Sequence, residues 1–591
     1  MPSSNKVRKV TSENYPTDAG REGESIFRRV YALAGSKLPI KRLWISSMED
    51  AAIQQGFENL KDGAAYDNLF AASECRAKAD WLIGMNGTRA FTKKYGRKQT
   101  IGRVQTPTLA MLAERQAKIQ NFVKEPYYKV ELSGAGVVAV SEQMTQEQDA
   151  DTVQAACDGQ CAVVGSIERK RIEKKPPKLY DLTTLQREAN RYYGLPASQT
   201  LQALQELYEE KLVTYPRTDS QFVTEDMRKT VESLVLALDG TAAGVSCVIN
   251  NSRVTDHHAI LPTMQGVNCN RERLSETNRK VFSLVIWKLV QAVQSPFIYE
   301  DVLVTVCCQG QNFTAKYKDI LQPGYTAKSV PFVEPEKDKD VPLPKKMEQG
   351  MVLPVVRAEK KQGFTSPPKV YTEDTLLSAM ETAGNDQFDD DTEKKGLGTP
   401  ATRAGIIEKL VKSGFAERKG KSLIPTKDGC NLVCVLPEQI TSPAMTAEWE
   451  NTLMEIERGK ADADAFLSGI VRMTGDLVKA YPFLSDAEAQ RFGTGKEEIG
   501  KCPRCGSPVY VGKGNFYCSN KACSFCLWED NKFFSSKKKK LTKKIAKELL
   551  DKGWCRVTGL YTPKKPQLYD AVIRLDDSGG KYVSFKMEFD R

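Results

Sequence analysis

A chain of 591 residues, 40% hydrophobic, 27% charged and 8% aromatic, has room for about four domains and excludes extended disorder and a fibrous architecture. Its net charge of +11 is concentrated: residues 501–560 hold 12 Lys and 2 Arg against 4 acids, a net of +10, which leaves +1 for the other 531 residues. A basic module on a nearly neutral body favours a polyanionic partner, nucleic acid before membrane. No apolar run reaches the ~18–20 residues of a membrane span. Residues 1–10 lack the apolar stretch of a secretory signal, so the expected location is the cytoplasm, where 15 Cys imply reduced thiols or metal.

In chain order, the first 16 residues are polar and show no strand pattern, and TDAGREGESIFRRVYAL then reads as a loop running into a helix. Residues 48–120 carry Ala-rich helical spacing, with an expected break at Gly84–Gly87. From 127 to 170, YYKVELSGAGVVAV and CAVVGSIERKRIE alternate and are β-branched, hence strands. Residues 180–235 return to helix, interrupted by the turn-forming Tyr215-Pro216, and 299–317 return to strands. Leaving strands and coming back to them predicts non-contiguous domains, one inserted in another. Residues 330–350 are Pro- and charge-rich and read as a linker. Helix follows at 372–383 and within 400–480, and a joint near 490–500 leads to a Cys- and Lys-rich tail.

Six motifs carry chemistry. Asp18, Glu22 and Glu24 surround two glycines at a turn before a helix; hard carboxylates crowded there suit Mg²⁺, and equally suit a charged helix N-terminus. Thr100-Ile-Gly-Arg-Val-Gln-Thr-Pro107 and Gly398-Thr-Pro-Ala-Thr-Arg403 each offer a glycine, hydroxyls and one arginine ahead of a helix, a phosphate-contact composition. The second continues into a helix and a hairpin-like pair of strands, as in a winged helix. In Leu212-Val-Thr-Tyr-Pro-Arg-Thr-Asp-Ser220, a tyrosine beside a guanidinium can attack phosphorus while the arginine binds non-bridging oxygens. A Tyr-Pro turn can also be purely structural. The chain has only two histidines, adjacent in Val254-Thr-Asp-His-His-Ala-Ile-Leu-Pro-Thr263, where Asp256 is placed to orient a ring. In the tail, Cys502-x2-Cys505-x12-Cys518-x4-Cys523 has the spacing of a four-thiolate zinc ribbon, with Cys526 as a rival last ligand. Phe516, Tyr517, Phe525 and Trp528 either stack bases or pack the ribbon, and SSKKKKLTKKIAKELLDKG reads as a basic helix start suited to phosphates.

Together DAGREGE, RAKADWLIGMNGTRA, TIGRVQTPTLAML, PPKLYDLTTLQREANRYYG, TYPRTDS, DHHAILPT, PPKVYTEDTLLSAME, GTPATRAGIIE and SPAMTAEWE resemble a type IA DNA topoisomerase of the bacterial topoisomerase III branch, over about residues 17–470. The resemblance implies a multidomain α/β plus α+β fold: a torus with interleaved helical and β domains and a C-terminal zinc-ribbon module. The implied division is a partial TOPRIM domain at 1–50, a helical DNA-binding body with a winged-helix-like unit at 51–124 and 356–490, and a β-rich hinge at 125–179 and 291–355. A tyrosine domain at 180–290 and a zinc-ribbon and basic module at 495–591 complete it. The resemblance implies that Tyr215 is the nucleophile, that Arg217 steadies the scissile phosphate, and that His257 contacts phosphate or assists proton transfer. It implies Mg²⁺ on Asp18 and Glu22, and DNA contacts from Arg76, Asp80, Arg89, Thr100, Ile101, Gly102, Arg103, Val104, Gln105, Thr399 and Arg403. The expected cofactors are Mg²⁺ and the ribbon's Zn²⁺; the absence of a GxxxxGK[ST] loop fits a reaction without ATP. The expected partner is DNA, single-stranded regions above all, in the nucleoid or on plasmids, with any helicase or other processing partner unspecified. Two departures stand out: the second Asp of the family's DxDxE turn is Gly20, and the glutamate-bearing strand expected some tens of residues before Asp18 is missing, since only 17 residues precede it. The expectation is therefore a shortened TOPRIM domain, and the rival to an active enzyme is a remnant that holds single strands without completing the cycle. A TOPRIM nuclease or primase would give TYPRTDS and GTPATRA no role.

Overall fold

The β-branched alternation at 126–174 and 297–364 builds one sheet. In the computed structural model, which describes residues 13–15, 17, 19–45, 50–96, 98–239, 244–254, 256–334, 341–344, 347–384, 396–480, 498–520, 522–562, 567–577 and 582–588, three short strands come first: β1 (Glu13–Tyr15), β2 (Ile40–Arg42) and β3 (Lys61–Asp62). The large sheet follows, from β4 (Pro126–Gly134), β5 (Val137–Ser141), β6 (Ala162–Lys174), β7 (Phe297–Cys308), β8 (Gln311–Gln322), β9 (Val352–Leu353) and β10 (Arg357–Phe364). Its order is β10-β4-β5-β8-β7-β6-β9, antiparallel throughout. Alternate residues (Val130, Leu132, Val302, Val304, Val306, Phe313, Ala315) turn inward onto Ala150, Val153 and Cys157 of the helix Glu147–Cys157. Each such Val or Leu contributes about 1.5–3 kcal/mol by leaving water.

This sheet is what holds the tyrosine segment. β6 and β7 pair along their length, with Lys174 opposite Phe297, so everything between them leaves and re-enters at one place. That intervening chain packs helices Leu182–Tyr193, Ala197–Glu209 and Glu276–Ala292 around Leu185, Ala189, Leu204, Leu207, Phe282 and Val285. Within it Lys288 is buried 2.9 Å from Glu188, and Tyr180 donates its hydroxyl to the same carboxylate. Burial pushes the Lys288 ammonium below its ordinary value, with Glu188 working in the opposite direction.

The helix Asp67–Tyr95 runs unbroken through Gly84 and Gly87, against the expected break. A Cβ at Gly87 would stand 3.4 Å from Ile101 and 3.6 Å from Leu477, so this glycine lets neighbours close on the helix, which tolerates its ~1 kcal/mol propensity cost. A second difference lies at the start, where Glu13–Tyr15 form a strand parallel to β2. Three residues are too few to show alternation, and the partner strand dictates the pairing. Helix Pro400–Lys412 and the hairpin β11 (Ala416–Lys419) to β12 (Ser422–Pro425) form the expected winged-helix-like unit, and Ser422 also bridges Thr372.

The chain divides into two compact units, Met1–Arg89 with Thr100–Ala480, and Ala90–Gln99 with Tyr481–Arg591. In the second, β13 (Glu498–Lys501), β14 (Pro508–Val511), β15 (Asn515–Cys518) and β16 (Cys526–Trp528) form a meander. A separate sheet follows from β17 (Trp554–Thr562), β18 (Gln567–Asp576) and β19 (Ser584–Glu588). Both sheets and the helix Lys543–Lys552 share one core that includes Val509, Phe516, Phe525, Leu549 and Ile573.

Candidate active site

Two irregular segments, 212–223 and 256–263, are laced together and bring the Tyr215-Pro216-Arg217 turn to the chain's two histidines. Thr214 N–H donates to the Leu261 carbonyl at 2.9 Å, and Leu261 N–H donates back to the Thr214 hydroxyl at 2.9 Å. Thr263 N–H reaches the Leu212 carbonyl, Ala259 N–H the Phe222 carbonyl, and the Thr218 hydroxyl the His257 carbonyl at 2.9 Å. The Tyr215 ring therefore lies 4.3 Å from the His257 ring, centroid to centroid, with Tyr208 edge-on behind it at 5.6 Å. Pro216 is buried and turns the chain, so that Arg217 emerges exposed beside the half-buried tyrosine. His258 points elsewhere: its Nδ1 lies 2.7 Å from the Ala259 carbonyl, and burial holds its pKa below the ordinary histidine value, so it is neutral at pH 7.

The acidic turn presents a sorted set of carboxylates. Asp18 lies outside the described residues. Glu24 is buried and held by Arg28 at 2.8 Å and by the equally buried Arg42 at 3.5 Å. Glu22, on the first turn of the helix Arg21–Ala34, is exposed and has no cationic partner among the described residues. Among the described residues of that turn this leaves Glu22 as the carboxylate available to a hard cation. The turn also touches the histidine segment, because Asp256 places its carboxylate directly over Gly20.

Arginines read from sequence as phosphate contacts are distributed differently by burial. Arg103 is 3% exposed, with Nε 2.7 Å from Asp80 and Nη1 3.0 Å from Glu450. Glu450, also buried, is shared with Arg76 at 3.6 Å and Arg21 at 3.4 Å. Burial alone would raise the Glu450 pKa, but Arg76, Arg103 and Arg21 together hold it below the usual carboxylate range. Arg403, 3% exposed, donates to the Leu397 carbonyl and the Thr183 hydroxyl, and burial lowers its pKa despite Glu381 and Asp181. Thr399 caps the helix Pro400–Lys412 in a reciprocal pair with Thr402. In this structure Arg103, Arg403 and Thr399 therefore fasten loops, Asp80 is taken by Arg103, and Arg89 stands exposed. Ile101 is buried core, whereas Thr100, Gly102 and Val104 are half-buried along the same loop.

Gln105, where that loop meets its helix, stands differently from Arg103. It is 4% exposed, yet neither its amide oxygen nor its amide nitrogen has a hydrogen-bond partner among the described residues, and the Thr100 hydroxyl is in the same condition. Such orphans cost about 1–3 kcal/mol each when no water or ligand meets them. Sequence reading missed Glu450, Arg42 and Asp181. Asp181 caps the helix Leu182–Tyr193 by accepting from Thr184 N–H, and also accepts from Gln221 at 2.8 Å, tying that helix to the tyrosine segment. Burial pushes its pKa up to about 6. No spacing or composition signal distinguishes these three from surface charges.

In the second unit, Cys502, Cys505, Cys518 and Cys523 bring their sulfurs within 4.8 Å of one another, with Cys502–Cys523 at 3.7 Å and Cys505–Cys518 at 3.4 Å. Four thiolates at ~2.3 Å around a tetrahedral zinc have edges of roughly 3.8 Å, so the donor set fits Zn²⁺. Cys526 is set apart and accepts from the Asn515 amide at 3.5 Å, which resolves the choice of last ligand in favour of Cys523. Phe516 and Phe525 are ribbon core, whereas Trp528 is half exposed.

The profile of a family described as DNA topoisomerase matches residues 64–468. The chain is 36% identical over 542 residues to DNA topoisomerase 3 of Bacillus subtilis strain 168, covering 86% of this chain and 74% of that protein. Against DNA topoisomerase 3 of Shouchella clausii strain KSM-K16 it is 37% identical over 543 residues, covering 86% and 73%. The solved structure of full-length topoisomerase I from Thermotoga maritima superposes with a TM-score of 0.63 at 22% identity, covering 86% of this chain and 84% of that one. No described helix is long and apolar enough to cross a membrane.

Proposed function

Since the chain belongs to the DNA topoisomerase family, in its type IA class, we propose that it cuts one DNA strand through Tyr215, passes another strand through the break and reseals it. The Tyr215 oxygen attacks the scissile phosphorus, an O–P bond to tyrosine forms, and the bond to the 3′-oxygen breaks. That oxygen leaves as a 3′-hydroxyl after taking up a proton, and the 5′-phosphate stays on the tyrosine. Resealing is the reverse, so the phosphodiester energy is kept in the tyrosine ester and no ATP is consumed. The observation that carries this reading is the 4.3 Å centroid separation of the Tyr215 and His257 rings, with Tyr215 two positions before the exposed Arg217. Arg217 supplies donors for the non-bridging oxygens, and His257 lies where it can contact the phosphate or exchange the phenol's proton.

Asp18 and Glu22 are the residues that would hold Mg²⁺, and Glu22, exposed and without a cationic partner among the described residues, is consistent with it. When bound, a divalent cation neutralises charge on the scissile phosphate. Gln105 and Thr100 would hydrogen-bond the single strand, with Arg89 and the quarter-exposed Arg76 on its phosphates. The ribbon and the lysine-rich segment after it would tether DNA electrostatically.

Relaxation of negatively supercoiled plasmid in Mg²⁺ tests the reading, with Tyr215→Phe as control. The parent protein is expected to relax the plasmid and to leave a covalent protein–DNA adduct on denaturation, and the variant to do neither. Relaxation surviving Tyr215→Phe would overturn the tyrosine mechanism. A parent protein giving neither relaxation nor adduct would leave only single-strand binding.

A further inference from the structure

Gly20 has a backbone that needs no glycine. Its φ of 178° and ψ of −179° are extended, open to any residue. What a side chain would disturb is the packing: a Cβ there would lie 2.6 Å from Asp256 Oδ2, 3.1 Å from its Cγ and 3.4 Å from Oδ1, so the carboxylate would have to move. All three nearest atoms belong to one carboxylate, which comes from a loop 236 positions away in sequence.

Gly20 is also the N-cap of the helix Arg21–Ala34, and having no side chain it gives that helix no cap of its own. Glu24 N–H is the first amide to find its partner in the helix, at the Gly20 carbonyl. The amides ahead of it form the positive end of the helix, where a carboxylate is stabilised. Asp256 brings a carboxylate to the place an N-cap side chain would occupy and precedes His257 directly in the chain, while the His257 ring lies 4.3 Å from that of Tyr215. The turn bearing Glu22 and the loop bearing the histidine and facing the tyrosine are thus seated on each other through one glycine and one carboxylate.

We infer that Asp256 is a positioning residue: its carboxylate, docked on the side-chain-free N-terminus of the Arg21–Ala34 helix, sets the acidic turn against the Tyr215–His257 pair. This rests on the proposed cleavage chemistry, in which a cation at the turn must reach the phosphate at Tyr215. Gly20 and Asp256 then behave as a single unit, and altering either one displaces Glu22 from the tyrosine.

The test uses the full chain with Gly20→Ala, Asp256→Ala, the double variant, and Asp256→Asn, which keeps the size and removes the charge. Deuterium exchange at the amides of Arg21–Glu24 reads the docking itself and is expected to speed up in both Ala variants. The Mg²⁺ midpoint for cleaving a single-stranded oligonucleotide is expected to rise about tenfold in each Ala variant and no further in the double, as for two residues in one contact. Asp256→Asn is expected to fall between parent and Asp256→Ala, and oligonucleotide binding in EDTA to be unchanged throughout. An unaltered midpoint, strictly multiplicative effects in the double variant, or unaltered exchange would overturn the inference. If the parent chain itself cuts no oligonucleotide, the cleavage reading fails instead, and the exchange measurement still decides whether the contact exists.

Discussion

The Arg103 guanidinium and the Glu450 carboxylate, 3.0 Å apart and both buried, join the loop ahead of the helix Gln105–Gln120 to the helix Ala444–Glu457. Arg76 and Arg21 converge on the same carboxylate, so removing it would leave three guanidiniums with fewer counter-charges. Glu450→Ala is expected to destabilise the first unit by about 3–5 kcal/mol, the range for breaking one side of a buried pair, read from the urea midpoint. Because the arginines depress the Glu450 pKa, its contribution is complete above the ordinary carboxylate pKa and is lost as pH falls through the depressed value. Glu450→Ala should thus lose less stability to acid than the parent. Equal acid sensitivity would contradict this account.

Gln105 predicts a trade between stability and grip. Its amide is buried without a partner among the described residues, so Gln105→Met, similar in volume and without the polar atoms, relieves a desolvation cost of about 1–3 kcal/mol per group. The melting temperature is expected to rise and the affinity for single-stranded oligonucleotide to fall several-fold. A variant that binds as tightly as the parent would show that the amide does not face DNA.

Strand texture, the winged-helix-like unit and the zinc spacing were legible because each depends on local periodicity or on ligand chemistry. The meeting of Tyr215 and His257 was implied only by the family resemblance and not by periodicity, since it arises from hydrogen bonds between segments about 40 positions apart, such as Thr218 to the His257 carbonyl. Residue type does not report burial: Arg103 and Arg403 have the composition of phosphate contacts, and here both are interior and bonded to protein oxygens. Gly20 was legible only as a departure from a family pattern. Its physical reason, the Asp256 carboxylate, appears only in three dimensions. The aromatics of the tail divided for the same reason, with Phe516 and Phe525 inside and Trp528 outside.

Asp181 gives a pH signature of opposite sign to that of Glu450. Burial raises its pKa from 3.8 to about 6, so between those values the folded chain holds a proton that the unfolded chain has released. Stability from this group is therefore greatest below 3.8 and declines as pH rises towards 6. Asp181→Asn keeps an acceptor for the Thr184 N–H, and asparagine caps as well as aspartate. The variant is expected to lack this decline and to exceed the parent in stability above pH 6. Parallel stability–pH curves for the two proteins would refute the assignment.

The zinc ribbon supplies a prediction that separates two cysteines three positions apart. Metal analysis of protein purified without chelator is expected to give about one zinc per chain, since a closed four-thiolate site binds tightly. Cys526→Ser should keep it, because that sulfur meets the Asn515 amide rather than the other thiols. Cys523→Ser should lose it, because its sulfur lies 3.7 Å from Cys502 within the cluster. The loss should also spread beyond the ribbon. Arg504, between the first two cysteines, pairs with Asp577 at 2.7 Å, just past the end of β18. Cys502 and Cys518 sit in the same core as Leu549 and Ile573. Chelation is therefore expected to raise proteolytic cutting within Lys543–Lys552 as well as between the cysteines, whereas cutting confined to the ribbon would show that the two sheets fold independently of the metal.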